Sequence, residues 1–174
     1  MSAELDYPKY GNLTPAFLLH VDCNEPYSVL NNNAGSVVLA KIVGGYTKTI
    51  NPNTPFDAEV IDGWDKLTSN TAEPSQLSHQ NCVLFLKSKK NGKGIVINYT
   101  GVIDPTSNHG KVISGELRSV KPDETYLTST LNYELDSDAT DEAWLSTKLT
   151  VGKGRPLRDE NGVLAFEYVI YTLD

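Results

Sequence analysis

The sequence predicts an all-β fold in which antiparallel strands close into a barrel around a central small-molecule cavity. Three observations point there. Short apolar runs with period-two alternation recur about every dozen residues, and turn clusters separate them, as in sandwiches and barrels. Aromatic content is skewed to 9 Tyr against 4 Phe, with Thr and Asn inside the same runs. A dry core favours Phe, Leu and Ile, whereas a buried phenol needs a partner for its hydroxyl, so a Tyr-rich interior suits one that a polar ligand enters.

Strands are expected at 14–22, 36–43, 45–50, 56–61, 79–88, 93–103, 111–120, 125–135, 145–151 and 163–172. The run from Asn31 to Gly35 supplies residues that tolerate positive φ, Asn91-Gly92 between two apolar runs is a strong hairpin signal, and Asn161-Gly162 repeats it. Asp138 to Trp144 is the one stretch expected to turn as a helix, with Asp138 as its cap. Asp62 to Ser78 lacks clear alternation and is expected as a long polar loop near the barrel mouth.

At 174 residues with no compositional break, the chain reads as one domain, with residues 1–13 as an N-terminal arm. A net charge of −7 and a pI near 4.9 leave no basic face, which argues against nucleic acid and anionic membranes as partners. The N-terminus has no basic and apolar leader, and no run approaches the roughly 18 apolar residues of a membrane span. Two cysteines, Cys23 and Cys82, suit a reducing compartment better than a disulfide framework, so a cytoplasmic location is expected. The expected partner is a small hydrophobic or phenolic ligand; self-association into a homo-oligomer is left open.

Alternation along 14–22 puts Ala16, Leu18 and His20 on one face, and along 36–43 it puts Val37, Leu39, Lys41 and Val43 together. His20 and Lys41 are thus ionisable groups on otherwise apolar stripes of neighbouring strands. If both faced one cavity, desolvation would make His20 a neutral base and Lys41 a donor to a developing oxyanion. They are the expected catalytic pair, with Trp64, Tyr99, Tyr126, Tyr133 and Trp144 as the expected ring-binding residues. The bland alternatives are a structural histidine, a lysine that snorkels to solvent and aromatics that only pack.

Metal and cofactor chemistry are not expected. His20-Val-Asp-Cys23 and His79-Gln-Asn-Cys82 repeat an H-x-x-C spacing, yet residues i and i+3 of a strand face opposite ways. Glu59, Asp62, Asp65 and Glu73 gather around the long loop, where they could bind a cation or supply a base, although loop carboxylates are usually solvated and that is the leading expectation. Gly152-Lys153-Gly154-Arg155 opens no helix and reads as a turn, and no G-x-S-x-G elbow is present.

Several segments resemble the domain of unknown function 3237 family: Tyr126 to Glu134, Ala143-Trp144-Leu145-Ser146, Leu149 to Arg155, and Phe166 to Tyr171. Ile42-Val43-Gly44-Gly45 is similar to its paired-glycine strand end, and Asn91-Gly92 through Thr100-Gly101 to its hairpin. The chain departs from the commoner bacterial pattern at Thr128 and Asn132, where those members often carry arginine, and at Ser146, where they carry Asn. Asp62-Gly63-Trp64-Asp65 only loosely matches their Gly-Gly-Ala-Asp-Trp segment. The resemblance implies a lipocalin-like closed barrel of the fungal pathway type. Some such members look like enzymes of aromatic polyketide or flavonoid metabolism, including isomerases that close a pyranone ring as chalcone isomerase does.

The leading expectation is therefore a small-molecule isomerase or cyclase that adds a phenol oxygen to a conjugated ketone. The alternatives are a non-catalytic binder of a hydrophobic metabolite, and a dehydratase or pericyclase on a secondary-metabolite pathway.

Overall fold

The computed structural model describes residues 11–72 and 76–174, so the expected arm and Glu73 lie largely or wholly outside the described residues. Among the described residues nine strands form one antiparallel sheet: β1 (Leu13–Cys23), β2 (Tyr27–Asn32), β3 (Gly35–Thr49), β4 (Ala58–Asn70), β5 (Ser78–Ser88), β6 (Gly94–Ile103), β7 (Leu127–Leu135), β8 (Thr150–Arg158) and β9 (Leu164–Leu173). Their order is β1-β9-β8-β7-β6-β5-β4-β3-β2, and an added pairing of β1 with β3 closes eight of them into a barrel.

That closure depends on β3 changing partners along its length. Its first part pairs with β2, and from Ile42 onward it pairs with β1. The change falls between Leu39 and Ile42, and just beyond it the seam with β1 passes Gly44-Gly45, where Gly45 has φ +136° and a Cβ would sit 2.1 Å from the His20 carbonyl oxygen. Any other residue there would force the seam apart.

Alternating residues fill the interior. Phe17, Leu19, Val21 and Cys23 point inward from β1, Ile95, Ile97 and Tyr99 from β6, and Phe166, Tyr168 and Ile170 from β9. One end is plugged by aromatics: Phe17 meets Phe56 edge-on at 4.9 Å and Trp144 at 6.2 Å. Trp144 sits there because its Nε1 donates to the Pro55 carbonyl at 3.0 Å.

The opposite end is capped by a short helix, α1 (Asn108–Ile113). Ser107 caps its start by accepting from the His109 amide, and Arg158 holds its end by donating to the Val112 and Ile113 carbonyls at 2.9 and 2.7 Å.

The structure corrects several expected elements. The strand expected at 111–120 is α1 and a loop, because Ser107 and the Arg158 clamp favour a helical turn that strand-like alternation does not reveal. The runs 36–43 and 45–50 are one strand that continues through the glycine pair. The loop expected at 62–78 is mostly strand, since β4 runs on to Asn70. β2 went unforeseen, its six residues all exposed. The run expected at 145–151 is displaced, a 3-10 turn occupying Ala143–Ser146 before β8 begins at Thr150.

Candidate functional site

Under α1 lies a cavity of about 320 Å³, within the range of small-molecule sites. Its walls are mainly apolar, among them Val21, Val38, Ile42, Ile103, Pro105 and Phe166. Two titratable side chains stand out among the lining residues, Asp65 from β4 and His109 from α1. Among the described residues no lysine or arginine lines it.

Asp65 points inward because β4 keeps strict alternation past its bulge, with Gly63, Asp65, Leu67 and Ser69 inside and Trp64, Lys66 and Thr68 outside. Its Oδ2 accepts from Gln80 Nε2 at 2.9 Å, and its Oδ1 has no hydrogen-bond partner. Burial raises the carboxyl to about 6, against the opposing pull of the Gln80 amide and the Asn81 backbone. The same Gln80 Nε2 donates to Tyr168 Oη at 3.1 Å, and Tyr168 lies 5.7 Å from Tyr99, ring to ring. Tyr99 lines the cavity and touches the Cys82 thiol. Burial pushes both phenols well above their usual range and Cys23 up to about 12, so all stay protonated.

His109 is buried against Phe166, ring centroids 5.9 Å apart. Its Nδ1 lacks a partner, and burial lowers its pKa to about 4, leaving a neutral imidazole at physiological pH. The site thus combines a carboxylate without a counter-cation, a neutral phenol and a neutral imidazole in a mainly apolar cavity. Such a set is suited to taking a proton from a neutral donor and returning it nearby.

The expected pair His20 and Lys41 does not share this space, which corrects the inward orientation assigned to both. On β1 the inner face is Phe17, Leu19, Val21 and Cys23, so His20 lies on the outer wall. There it stacks on Tyr46 at 4.9 Å, contacts Asp22 Oδ1 at 3.0 Å and Glu167 Oε1 at 3.4 Å, and Glu167 in turn accepts from Arg155 Nη2 at 2.6 Å. Hydrogen bonding to Glu167 raises the His20 pKa, the reverse of the expected desolvation effect. Lys41 likewise points outward, paired with Asp62 and lying 4.6 Å over the Trp64 ring.

Of the expected ring-binding residues, Tyr99 lines the cavity. Trp64 is outside on β4, and Tyr126 is half exposed beneath Lys153. Tyr133 faces the core but bonds Thr150 at 2.9 Å away from the cavity, and Trp144 plugs the other end. The H-x-x-C pairs are split as strand geometry requires, His20 and His79 outside, Cys23 and Cys82 inside. Sequence reasoning missed Gln80 and His109, and it placed Asp65 among loop carboxylates expected to be solvated, whereas Asp65 is buried on β4. The signal for Asp65 was present in the alternation Gly63, Asp65, Leu67, Ser69, but its inner members are small or polar and so do not look like a core face.

Among the described residues no helix is long and apolar enough to cross a membrane, and no group of three or more His, Cys, Asp or Glu gathers as a metal site would.

An eight-stranded closed antiparallel barrel with a small, largely apolar cavity under a helical cap is the class that fold and site define. Within it, the chain belongs to the family described as Protein of unknown function (DUF3237), whose model matches residues 11–173. Solved structures share the fold at low identity. A conserved protein of unknown function from Rhodopseudomonas palustris superposes with a TM-score of 0.73 at 15% identity, covering 95% of this chain and 99% of that one. A beta-barrel like protein from Acinetobacter baumannii gives 0.68 at 19%, covering 98% and 100%. A structure described as an enzyme from Penicillium herquei gives 0.62 at 15%, covering 98% and 99%. No curated protein matches the sequence.

Proposed function

We propose that the chain is an isomerase that closes a ring in a small phenolic ketone, with Asp65 as the base. The observation that carries this reading is the buried Asp65 carboxylate, unpartnered at Oδ1 in a cavity that no lysine or arginine lines among the described residues. The Asp65 carboxylate takes the phenol proton as the phenol oxygen bonds to the β-carbon of the conjugated ketone. The electron pair of the double bond moves to the carbonyl oxygen, where the Tyr99 hydroxyl donates a hydrogen bond to the enolate. The proton on Asp65 then passes to the α-carbon, so nothing is gained or lost overall. Burial raises the Asp65 pKa and so narrows its gap to that of a phenol, which proximity must bridge.

Two considerations support the reading: a structurally similar protein from Penicillium herquei is described as an enzyme, and the resemblance noted in the sequence implies pathway enzymes that include ring-closing isomerases. The test is to follow loss of enone absorbance with a panel of hydroxychalcones. Asp65→Asn should lower kcat by at least about 100-fold, the usual scale for losing a general base, while still binding ligand. Unchanged turnover in Asp65→Asn would remove Asp65 from the mechanism. The mainly apolar wall also favours a second reading, a carrier without catalysis. That carrier would show stoichiometric thermal stabilisation with no change in the ligand spectrum.

A further inference from the structure

Asp65 and His109 line the same cavity from different elements. One stands on the β4 wall; the other hangs from α1 against Phe166 of β9, and β3 and β1 separate β4 from β9 on the shorter way round the barrel. Each is more than nine-tenths buried and each keeps one side-chain atom, Asp65 Oδ1 and His109 Nδ1, without a partner. Buried polar atoms are rarely left so, because an unmade hydrogen bond costs about 1–3 kcal/mol. Orphans on two sides of one cavity are the pattern expected of a ligand that is polar at two places.

The charge of that ligand is constrained as well. An anionic group entering here would meet the Asp65 carboxylate and find, among the described residues, no lysine or arginine on the wall. The nearby cations are committed elsewhere: Arg158 holds the carbonyls at the end of α1 and the carboxylate of Glu25, and Lys41 pairs with Asp62 outside the barrel.

We infer that His109 recognises a second, uncharged polar group of the ligand, so that the cavity takes neutral molecules polar at two separated points and rejects carboxylates and phosphates. This rests on the proposed use of the cavity, with Asp65 engaging the first hydroxyl. The imidazole meets a hydroxyl or a carbonyl equally, because either ring tautomer is open to it. His109 is then the residue that sets specificity, while the reaction proceeds at Asp65.

Calorimetric titration tests this with three ligands, 2′-hydroxychalcone and its derivatives bearing a hydroxyl or a carboxylate at position 4. Wild-type protein should bind the 4-hydroxy compound about tenfold or more tightly than the parent, the scale of one satisfied buried hydrogen bond, and the 4-carboxylate at least tenfold more weakly than the parent. His109→Phe should erase the hydroxyl preference while leaving affinity for the parent unchanged, and His109→Gln should keep part of it. Equal affinity for parent and 4-hydroxy compound, a preference that survives in His109→Phe, or tight binding of the carboxylate overturns the inference. Should His109→Phe not fold, His109→Gln and the carboxylate on wild-type protein decide the matter. Failure of the proposed reaction is seen separately: selective binding without turnover discards the isomerase and keeps the selectivity, whereas no binding of any ligand discards both.

Discussion

Asp65 and Gln80 are joined across β4 and β5 by a 2.9 Å hydrogen bond from Gln80 Nε2 to Asp65 Oδ2. The second hydrogen of that amide goes to Tyr168 Oη at 3.1 Å, so both its donors are spent and its orientation is set. One neutral amide therefore ties the carboxylate to a phenol three strands away without supplying a positive charge. Asp65 is held in place but not neutralised: burial raises its pKa, and the Gln80 hydrogen bond offsets that rise only in part.

The cost of keeping Asp65 ionised should be visible in stability. Its folded pKa of about 6 lies above the ordinary 3.8, so the folded state binds the proton more tightly than the unfolded chain does. Stability contributed by the protonated form is complete below about pH 4 and is lost as pH rises to about 6. Asp65→Asn keeps the acceptor for Gln80 and removes the charge. It should raise the unfolding free energy at pH 7.5 by up to about 3 kcal/mol and change it little at pH 4. Denaturant unfolding at the two pH values measures this; an equal effect at both would mean Asp65 carries no ionisation penalty.

The same titration should govern rate. With Asp65 as base, kcat/KM rises with pH through about 6 and then levels, because His109, at about 4, is already neutral there. A profile that is flat from pH 5 to 8 would place the proton-accepting step elsewhere.

Gly101 on β6 has no room for a side chain. A Cβ would stand 2.2 Å from the Thr128 carbonyl oxygen on β7 and 2.9 Å from Gln80 Oε1. The first contact is with backbone and cannot be relieved by a rotamer change. Gly101→Ala should therefore destabilise by about 2 kcal/mol or more and displace Gln80 from Asp65, lowering both melting temperature and turnover. A melting temperature within 1–2 °C of wild type would show that the β6–β7 seam yields more easily than this geometry allows.

How much of this was legible depends on which face carried the apolar residues. Where one face is apolar and the other polar, as on β7 with Leu127 and Leu131 inside and Thr128, Thr130, Asn132 and Glu134 outside, strand and orientation follow from alternation. β1 and β3 are apolar on both faces. Leu18 accompanies His20 outside, and Val37, Leu39 and Val43 accompany Lys41, so a lone ionisable group on an apolar stripe marked the outer wall. A bulge between Pro15 and Phe17 adds to this by burying both Ala16 and Phe17. β4 failed in the opposite sense, because its inner face serves the cavity and carries Asp65 and Ser69 in place of core residues. Tyr99 was found because a buried phenol on an apolar run demands a polar neighbour, and it has one in Cys82.

His20 should prove structural. Its pKa is raised by Glu167 and Asp22, so its contribution to stability is fully present below pH 6.5 and falls as pH rises through the higher folded value. His20→Ala should cost about 1–2 kcal/mol at pH 5.5 and less at pH 9, with kcat unaltered at either. A loss of turnover with unchanged stability would return His20 to the chemistry.

Trp144 separates packing from binding. It closes the barrel end away from the cavity, its ring edge-on to Phe17 and its Nε1 on the Pro55 carbonyl. Trp144→Phe loses that hydrogen bond and part of the ring, which should cost about 1–2 kcal/mol, and Trp144→Ala opens the plug at about 3–4 kcal/mol. Ligand affinity measured well below either melting transition should match wild type, because no atom of Trp144 lines the cavity. If Trp144→Phe weakens ligand binding tenfold while its stability is unchanged, the ligand occupies the plugged end, and both Asp65 and His109 lose the roles assigned to them.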